Sequence, residues 1–172
     1  MSHRLRRLAL VLVAAAMTAM TARAQETTPP NWTGTWKGSL VNLPARPGAR
    51  VVEVTREIGA FPAADNTCTA FKTSYSEAGV VKQVKDYRLC RGVGADDLFV
   101  DEGGGVKLTA RVIGDALISP FKYDTTLLIS TMRLRGDILE EEILTVEDKP
   151  ATQGPLALRP RGIQRLEFKR AR

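Results

Sequence analysis

Apolar and polar residues alternate with a period close to two along most of the chain, the pattern of β-strands that pack on one face. The alternation is clear over 32–41, 52–58 and 106–112. Turn signals separate these runs, among them Gly114-Asp115 and Gly136-Asp137. No run keeps helical spacing long enough for an amphipathic helix. We therefore predict an all-β antiparallel meander of about 8–10 strands, closed into a barrel or, alternatively, folded into a β-sandwich.

Three predicted hairpins also have a predicted register, because cross-strand partners in an antiparallel pair have a constant index sum. The hairpins turn at Gly79, Gly114-Asp115 and Gly136-Asp137, and each keeps apolar residues on one face. The predicted partners are Cys68 with Cys90, Phe71 with Tyr87, Lys72 with Asp86, Val112 with Leu117, Leu108 with Phe121, Leu134 with Leu139, Ser130 with Ile143, and Arg133 with Glu140.

The first 24 residues have the features of a secretory signal. Arginines between Arg4 and Arg7 precede an apolar run from Leu8 to about Ala22, and small residues mark a cleavage site after Ala24. The run is shorter than the roughly 20 residues that span a bilayer. The predicted organisation is a signal peptide over 1–24, a flexible lead over 25–31 and one domain over 32–172, and the predicted location is periplasmic or secreted.

Cys68 and Cys90 are the only cysteines in the chain. Because export brings a protein into an oxidising compartment, we predict that they form a disulfide. Two unrelated buried thiols are the alternative.

The predicted cleavage changes the charge of the chain and its possible chemistry. Four of the 25 Lys and Arg residues lie in the signal, so the remainder nearly balances the 19 Asp and Glu residues. The only histidine, His3, also lies there, which removes imidazole from catalysis, metal binding and haem ligation. We therefore expect no cofactor, no metal and no nucleic-acid partner. A basic segment from Arg159 to Arg172 suits either a weak contact with an anionic envelope surface or the solvated face of a last strand.

Gly34-Thr35-Trp36 on the first predicted strand, followed by a meander that ends in a strand such as 164–168, resembles the calycins. These small barrels include lipocalins and fatty-acid-binding proteins. The resemblance covers most of the predicted domain as a pattern, and Gly34-x-Trp36 as a motif. It implies a closed barrel with Trp36 as the plug at one end and a late arginine, Arg165 or Arg170, as its cover.

The chain also departs from these proteins in ways that limit what the resemblance implies about a ligand. The segment from Leu43 to Arg50 is too short for the two helices that fatty-acid-binding proteins place after their first strand. Gln164 and Leu166 stand where those proteins often carry an Arg-x-Tyr pair that holds a carboxylate. Nitrobindin-like barrels bind haem through a histidine that the mature chain lacks. The resemblance therefore supports a fold more than a ligand.

Arg56, Gln83, Glu141 and Gln164 fall among the apolar positions of the predicted inner face. Buried charges are costly unless they are paired, so Arg56 and Glu141 should contact each other or a ligand. Proximity to a water-filled barrel end is the alternative. Since small-molecule pockets combine apolar walls with a few polar anchors, we predict a ligand site from both kinds of residue. The predicted ligand-binding residues are Trp36, Val54, Arg56, Phe71, Gln83, Tyr87, Leu108, Phe121, Met132 and Glu141.

The leading hypothesis is an exported, non-catalytic barrel that binds a small apolar or amphipathic molecule, which requires an interior cavity of at least about 300 Å³. The first alternative is an envelope structural or interaction module with a solid core. Such a module would act through its loops, notably Asp148 to Pro160, or through the basic C-terminus. The second alternative is a small-molecule isomerase or cyclase, which is favoured if Tyr87 and Glu141 line one cavity. No residue is assigned a catalytic role.

Overall fold

A computed structural model describes residues 31–150 and 153–172. The predicted signal, its cleavage site and most of the predicted lead lie outside these residues. The described residues form ten strands and no helix. Within those ranges, no helix is long and apolar enough to cross a membrane. The strands are β1 (Gly34–Leu43), β2 (Val52–Ile58), β3 (Cys68–Glu77), β4 (Val80–Arg91), β5 (Leu98–Gly103), β6 (Val106–Ile113), β7 (Ala116–Tyr123), β8 (Thr126–Arg135), β9 (Ile138–Glu147) and β10 (Pro160–Arg170).

Each strand pairs antiparallel with its neighbours in sequence, and β1 also pairs with β10, so the sheet closes into a barrel. The predicted all-β meander is confirmed, and of the two predicted architectures the structure is the barrel. Successive loops of an up-and-down meander lie at opposite ends of the barrel. The loops β1–β2, β3–β4, β5–β6, β7–β8 and β9–β10 share one end, which we call the open end. The other four loops lie at the closed end, together with the start of β1 and the end of β10.

The β3–β4 hairpin has the predicted register beyond its tip. Cys68 lies opposite Cys90, Phe71 opposite Tyr87, and Lys72 opposite Asp86. The turn itself is Ala78-Gly79, with φ of 49° and 76°, and the register shift between Tyr75 and Ser76 leaves Lys82 of β4 without a partner. The amino group of Lys72 lies 3.7 Å from the carboxylate of Glu57 on β2. Lys72 and Asp86 are therefore cross-strand neighbours, as predicted, but the ion pair of Lys72 is with Glu57.

The predicted disulfide is present between Cys68 and Cys90. Both cysteines lie on the outer face, because side chains alternate along a strand and Phe71 and Leu89 point into the core. The bond joins the start of β3 to the end of β4 near the closed end.

The other two predicted hairpins are confirmed in part. The register of β8 and β9 is the predicted one throughout, with Leu134 opposite Leu139, Ser130 opposite Ile143, and Arg133 opposite Glu140. Val112 also lies opposite Leu117, but the prediction that Leu108 pairs with Phe121 is wrong, because the β6–β7 ladder ends at Arg111–Ile118.

Pro120 explains the early end of this ladder. In a tight hairpin every second residue pair exchanges two backbone hydrogen bonds. Arg111–Ile118 is such a pair, and the next hydrogen-bonded pair would be Thr109–Pro120. Proline has no N–H to donate. The hydroxyl of Ser119 instead donates to the carbonyl oxygen of Thr109, at 2.8 Å.

Aromatic side chains fill the closed end. Trp36 is fully buried, and its indole N–H donates to the carbonyl oxygen of Trp32 at 2.8 Å. The guanidinium of Arg170 lies 4.2 Å from the Trp36 ring centre and donates to the carbonyl oxygens of Thr33 and Asn31. Of the two arginines that the calycin resemblance offered as a cover for Trp36, the structure places Arg170 there. Arg165 lies on the outer wall, bonded to Glu142.

Candidate functional site

A small cavity lies inside the barrel on the side of the open end, and its volume is about 80 Å³. Its walls come from β2 through β9, because the closed sheet brings inward residues of distant strands together. The predicted ligand-binding residues that line it are Arg56, Phe71, Tyr87, Leu108, Phe121 and Glu141.

The other four predicted ligand-binding residues lie elsewhere. Trp36, Val54 and Met132 are at most 1% exposed and belong to the packed core. Gln83 is exposed at the open end, where it borders a shallow depression with Gln164. The structure therefore brings together part of the predicted site.

Six polar residues that are not among the predicted ligand-binding residues also line the cavity. These residues are Thr73, Tyr75, Lys85, Glu102, Ser119 and Ser130. Thr73 and Tyr75 follow Phe71 at two-residue spacing, and Lys85 precedes Tyr87 by two, so strict alternation along β3 and β4 would have found them.

Arg56 on β2 and Glu141 on β9 form an ion pair inside the barrel. Nη2 of Arg56 lies 2.7 Å from Oε2 of Glu141, and the two side chains are 5% and 8% exposed. Oε2 accepts no hydrogen bond, so its contact with Arg56 is ionic. Oε1 accepts a hydrogen bond from the hydroxyl of Ser130 at 2.8 Å. Of the two expected outcomes for these charges, the structure contains the internal pair.

Other contacts also occupy the guanidinium of Arg56. Nε donates to the hydroxyl of Thr73 at 3.1 Å, and Nη1 lies 3.6 Å from the sulfur of Met132. The guanidinium carbon is 5.2 Å from the ring centres of both Phe71 and Phe168, within cation–π range. Arg56 is thereby a structural element of the core, and its charge is already balanced.

Tyr75, Lys85 and Tyr87 stand at the mouth of the cavity. The amino group of Lys85 lies 5.7 Å from the ring centre of Tyr75 and 6.0 Å from that of Tyr87. Burial, followed by the neighbouring carboxylate of Glu102, raises the pKa of Tyr87 to about 12. Burial also raises the pKa of Tyr75. Both hydroxyls therefore keep their protons at neutral pH.

The volume of the cavity bears on the leading hypothesis from the sequence, a barrel that binds a small apolar or amphipathic molecule in its interior. Pockets that enclose a small molecule measure about 300–1,000 Å³, and this cavity of about 80 Å³ falls well below that range. The requirement for an enclosed ligand is therefore not met. Tyr87 and Glu141 do line the same cavity, the condition that favoured an isomerase or cyclase, but Arg56 and Ser130 bind the carboxylate.

Large apolar side chains are exposed on all five loops of the open end or on the strand residues beside them. We call these residues the apolar tips, and they are between 38% and 76% exposed. The apolar tips are Val51, Val80, Val81, Val106, Tyr123, Leu156 and Leu158. In the closed-end loops and the strand residues beside them, the large apolar side chains with comparable exposure are Val93 and Ile113.

Charge is also divided between the two ends. The residues between strands at the open end include Arg46, Arg50, Lys149 and Arg159 against Asp124 and Asp148. The four closed-end loops carry aspartates and no lysine or arginine. These aspartates are Asp65, Asp96, Asp97, Asp115 and Asp137. The open-end loops therefore carry a net positive charge and the closed-end loops a net negative charge, while the end of β10 adds Lys169, Arg170 and Arg172 to the closed end.

The basic C-terminal residues take part in contacts within the protein. Arg161 lies 3.3 Å from Glu147, Arg165 lies 2.8 Å from Glu142, and Arg170 covers Trp36. Arg161 and Arg165 thus each pair with a carboxylate of β9, and Arg170 belongs to the closed end of the barrel.

Comparison with protein-family models, curated proteins and solved structures finds no match to this chain. The closed ten-stranded antiparallel barrel is compatible with a calycin-like fold. Among residues 31–150 and 153–172, no group of three or more His, Cys, Asp or Glu side chains is placed to hold a metal ion.

Proposed function

We propose that this protein is an exported, non-catalytic β-barrel that serves as an interaction module of the cell envelope. The barrel would act as a rigid scaffold, and its contact surface would be the open end. The observation that carries the proposal is twofold. The cavity inside the barrel has a volume of only about 80 Å³, whereas large apolar side chains, the apolar tips, are exposed around the open end. Export is supported by the signal-like N-terminal sequence and by the disulfide, a bond typical of oxidising compartments.

The arrangement of titratable groups supports the absence of catalysis. A general base must be free to accept a proton near neutral pH. Glu141 is engaged by Arg56 and Ser130, and Tyr87 has a pKa of about 12. Neither group is suited to proton transfer with a substrate.

The second candidate function is binding of only one end of a small molecule in the cavity. The cavity opens beside Tyr75, Lys85 and Tyr87, and its volume suits the terminal group of an amphipathic molecule whose remainder stays outside. The convergence of apolar walls with hydroxyl groups favours this candidate.

Sedimentation with isolated envelopes separates the two candidates. The chain from Gln25 onward contains the whole barrel, and three forms of it are mixed with envelope fractions from the cells that produce it. These are the unsubstituted chain, the double variant Val51→Ser/Tyr123→Ser at the open end, and Leu108→Phe, which narrows the cavity. Circular dichroism first verifies that each is folded.

We expect the unsubstituted chain and Leu108→Phe to sediment with the envelopes and the open-end variant to stay in solution. Absence of sedimentation, or equal release by Leu108→Phe, would contradict the interaction module. Native mass spectrometry of the same samples tests the second candidate, which requires a bound small molecule that Leu108→Phe loses.

A further inference from the structure

We infer that the open end docks on a bilayer surface that contains anionic lipid. The inference rests on the proposed function and names the partner of that surface. It stands on two independent observations, the positions of the apolar tips and the basic residues of the open-end loops.

The apolar tips project from five different loops around the barrel rim. Because the sheet is closed, these loops surround the mouth as separate projections. A protein partner buries a continuous, shape-complementary patch, whereas a fluid bilayer accepts separate side chains at any spacing. Tyr123, which is 76% exposed, has the amphipathic ring typical of residues at membrane interfaces.

The basic residues of the open-end loops would draw this end of the molecule toward the membrane. An anionic membrane attracts lysine and arginine close to its surface and repels aspartate. The β1–β2 loop carries Arg46 and Arg50 as well as Val51, and the side chain of Arg50 is 83% exposed, with its guanidinium 3.9 Å from Glu77. The β9–β10 loop likewise carries Lys149 and Arg159 near Leu156 and Leu158. Apolar and basic residues therefore occur together on two of the five open-end loops, a combination that interfacial binding uses.

A second copy of the chain is the main competing occupant. The basic loops at the open end of one molecule and the aspartate-bearing loops at the closed end of another would attract each other head to tail. Such a contact would leave the apolar tips against the polar closed-end loops, which offer Val93 and Ile113 as their large exposed apolar residues. An interfacial lipid layer covers these tips more completely.

Vesicle binding tests the inference with purified components. The chain from Gln25 onward is mixed with phosphatidylcholine vesicles, or with vesicles that contain about 30 mol% phosphatidylglycerol, and the bound fraction is measured by flotation. We expect binding to the anionic vesicles and its loss in about 0.5 M salt, because salt screens exposed charges.

Matched variants locate the contact on the molecule. Arg46→Gln/Arg50→Gln should weaken binding by about tenfold or more, and Val51→Ser/Tyr123→Ser should also weaken it. The controls lie at the closed end: Lys169→Gln/Arg172→Gln removes the same charge, and Val93→Ser/Ile113→Ser removes apolar side chains of comparable exposure. Both controls should bind as the unsubstituted chain does.

Three results would overturn the inference. They are absence of binding to anionic vesicles, equal loss in the open-end and closed-end variants, and concentration-dependent self-association that the open-end variants abolish. If vesicle binding fails while envelope sedimentation still depends on the open end, the partner is not the bilayer and the interaction module stands. If both fail, both proposals are wrong.

Discussion

Arg56 and Glu141 put two opposite charges into an interior that is otherwise mostly apolar, so each depends on the other. Removal of one partner leaves an uncompensated buried charge, which typically costs about 3–5 kcal/mol. We therefore predict that Glu141→Leu lowers the free energy of unfolding by about that amount, because Arg56 keeps its charge. Urea denaturation at neutral pH, followed by tryptophan fluorescence, measures the change.

Two controls distinguish the effect of a buried unpaired charge on stability from the effect of losing any ion pair. The double variant Arg56→Met/Glu141→Leu should recover most of the loss, since a well-packed apolar pair often replaces a buried ion pair without cost. The outer-wall pair of Arg165 and Glu142 has a similar distance of 2.8 Å, but its side chains are 45% and 49% exposed. Glu142→Gln should then cost under about 1 kcal/mol. A cost for Glu141→Leu no larger than this would show that the buried pair has no special role.

At the scale of an element, the β3–β4 hairpin contains a residue in an unfavourable backbone conformation. Ala78 has φ of 49°, which costs an L-residue with a Cβ roughly 1–2 kcal/mol. We predict that Ala78→Gly raises the free energy of unfolding by about 0.5–1 kcal/mol, because glycine relieves more strain than it costs in chain entropy. Thermal denaturation with the disulfide intact measures the gain.

Ala95→Gly is the matched control for this turn. Ala95 is also exposed in a loop, but it is not among the residues with positive φ. Glycine there should lower the free energy of unfolding by about 0.4–1 kcal/mol through the entropy of the unfolded chain. If both substitutions destabilise the protein alike, the strain assigned to Ala78 is absent.

The same element and its neighbours show what alternation predicts and what it misses. The partners from Cys68–Cys90 to Lys72–Asp86 follow from alternation and turn position alone. The error at Leu108 and Phe121 arose because the prediction followed apolar spacing and ignored Pro120, which cannot donate to the ladder. Attention to backbone donors would have corrected it, whereas the unpaired Lys82 in β4 follows from no sequence signal that we identify.

For the whole molecule, the sequence predicts which residues face inward but not how much space they leave. Arg56, Phe71 and Tyr87 were expected inside, and they line the cavity. The volume of the cavity depends on the diameter of the barrel and on the way in which the long side chains of distant strands pack between one another. Arg56 and Glu141 meet across two intervening strands and occupy space that an alternating pattern suggests is open.

Closure of the barrel depends on the seam between β1 and β10, which lie at the two ends of the described chain. Gly38 lies at this seam opposite Phe168, and a Cβ at this position would overlap the carbonyl oxygen of Glu167. The obstructing atom belongs to the backbone of β10, so it cannot move aside without moving the strand. We predict that Gly38→Ala separates β1 from β10, with hydrogen exchange accelerated in both strands and much less in β3 and β4, where the disulfide holds the pair.

An opened seam would also expose two strand edges that the closed barrel does not have, so Gly38→Ala should aggregate more readily on heating. Ser39→Ala is the control, because Ser39 is the next residue of the same strand and lies on its outer face. It should change neither hydrogen exchange nor aggregation. Light scattering during thermal unfolding measures the second effect. Exchange in β1 and β10 of Gly38→Ala at the rate of the Ser39→Ala control would show that the close approach at Gly38 does not hold the barrel closed.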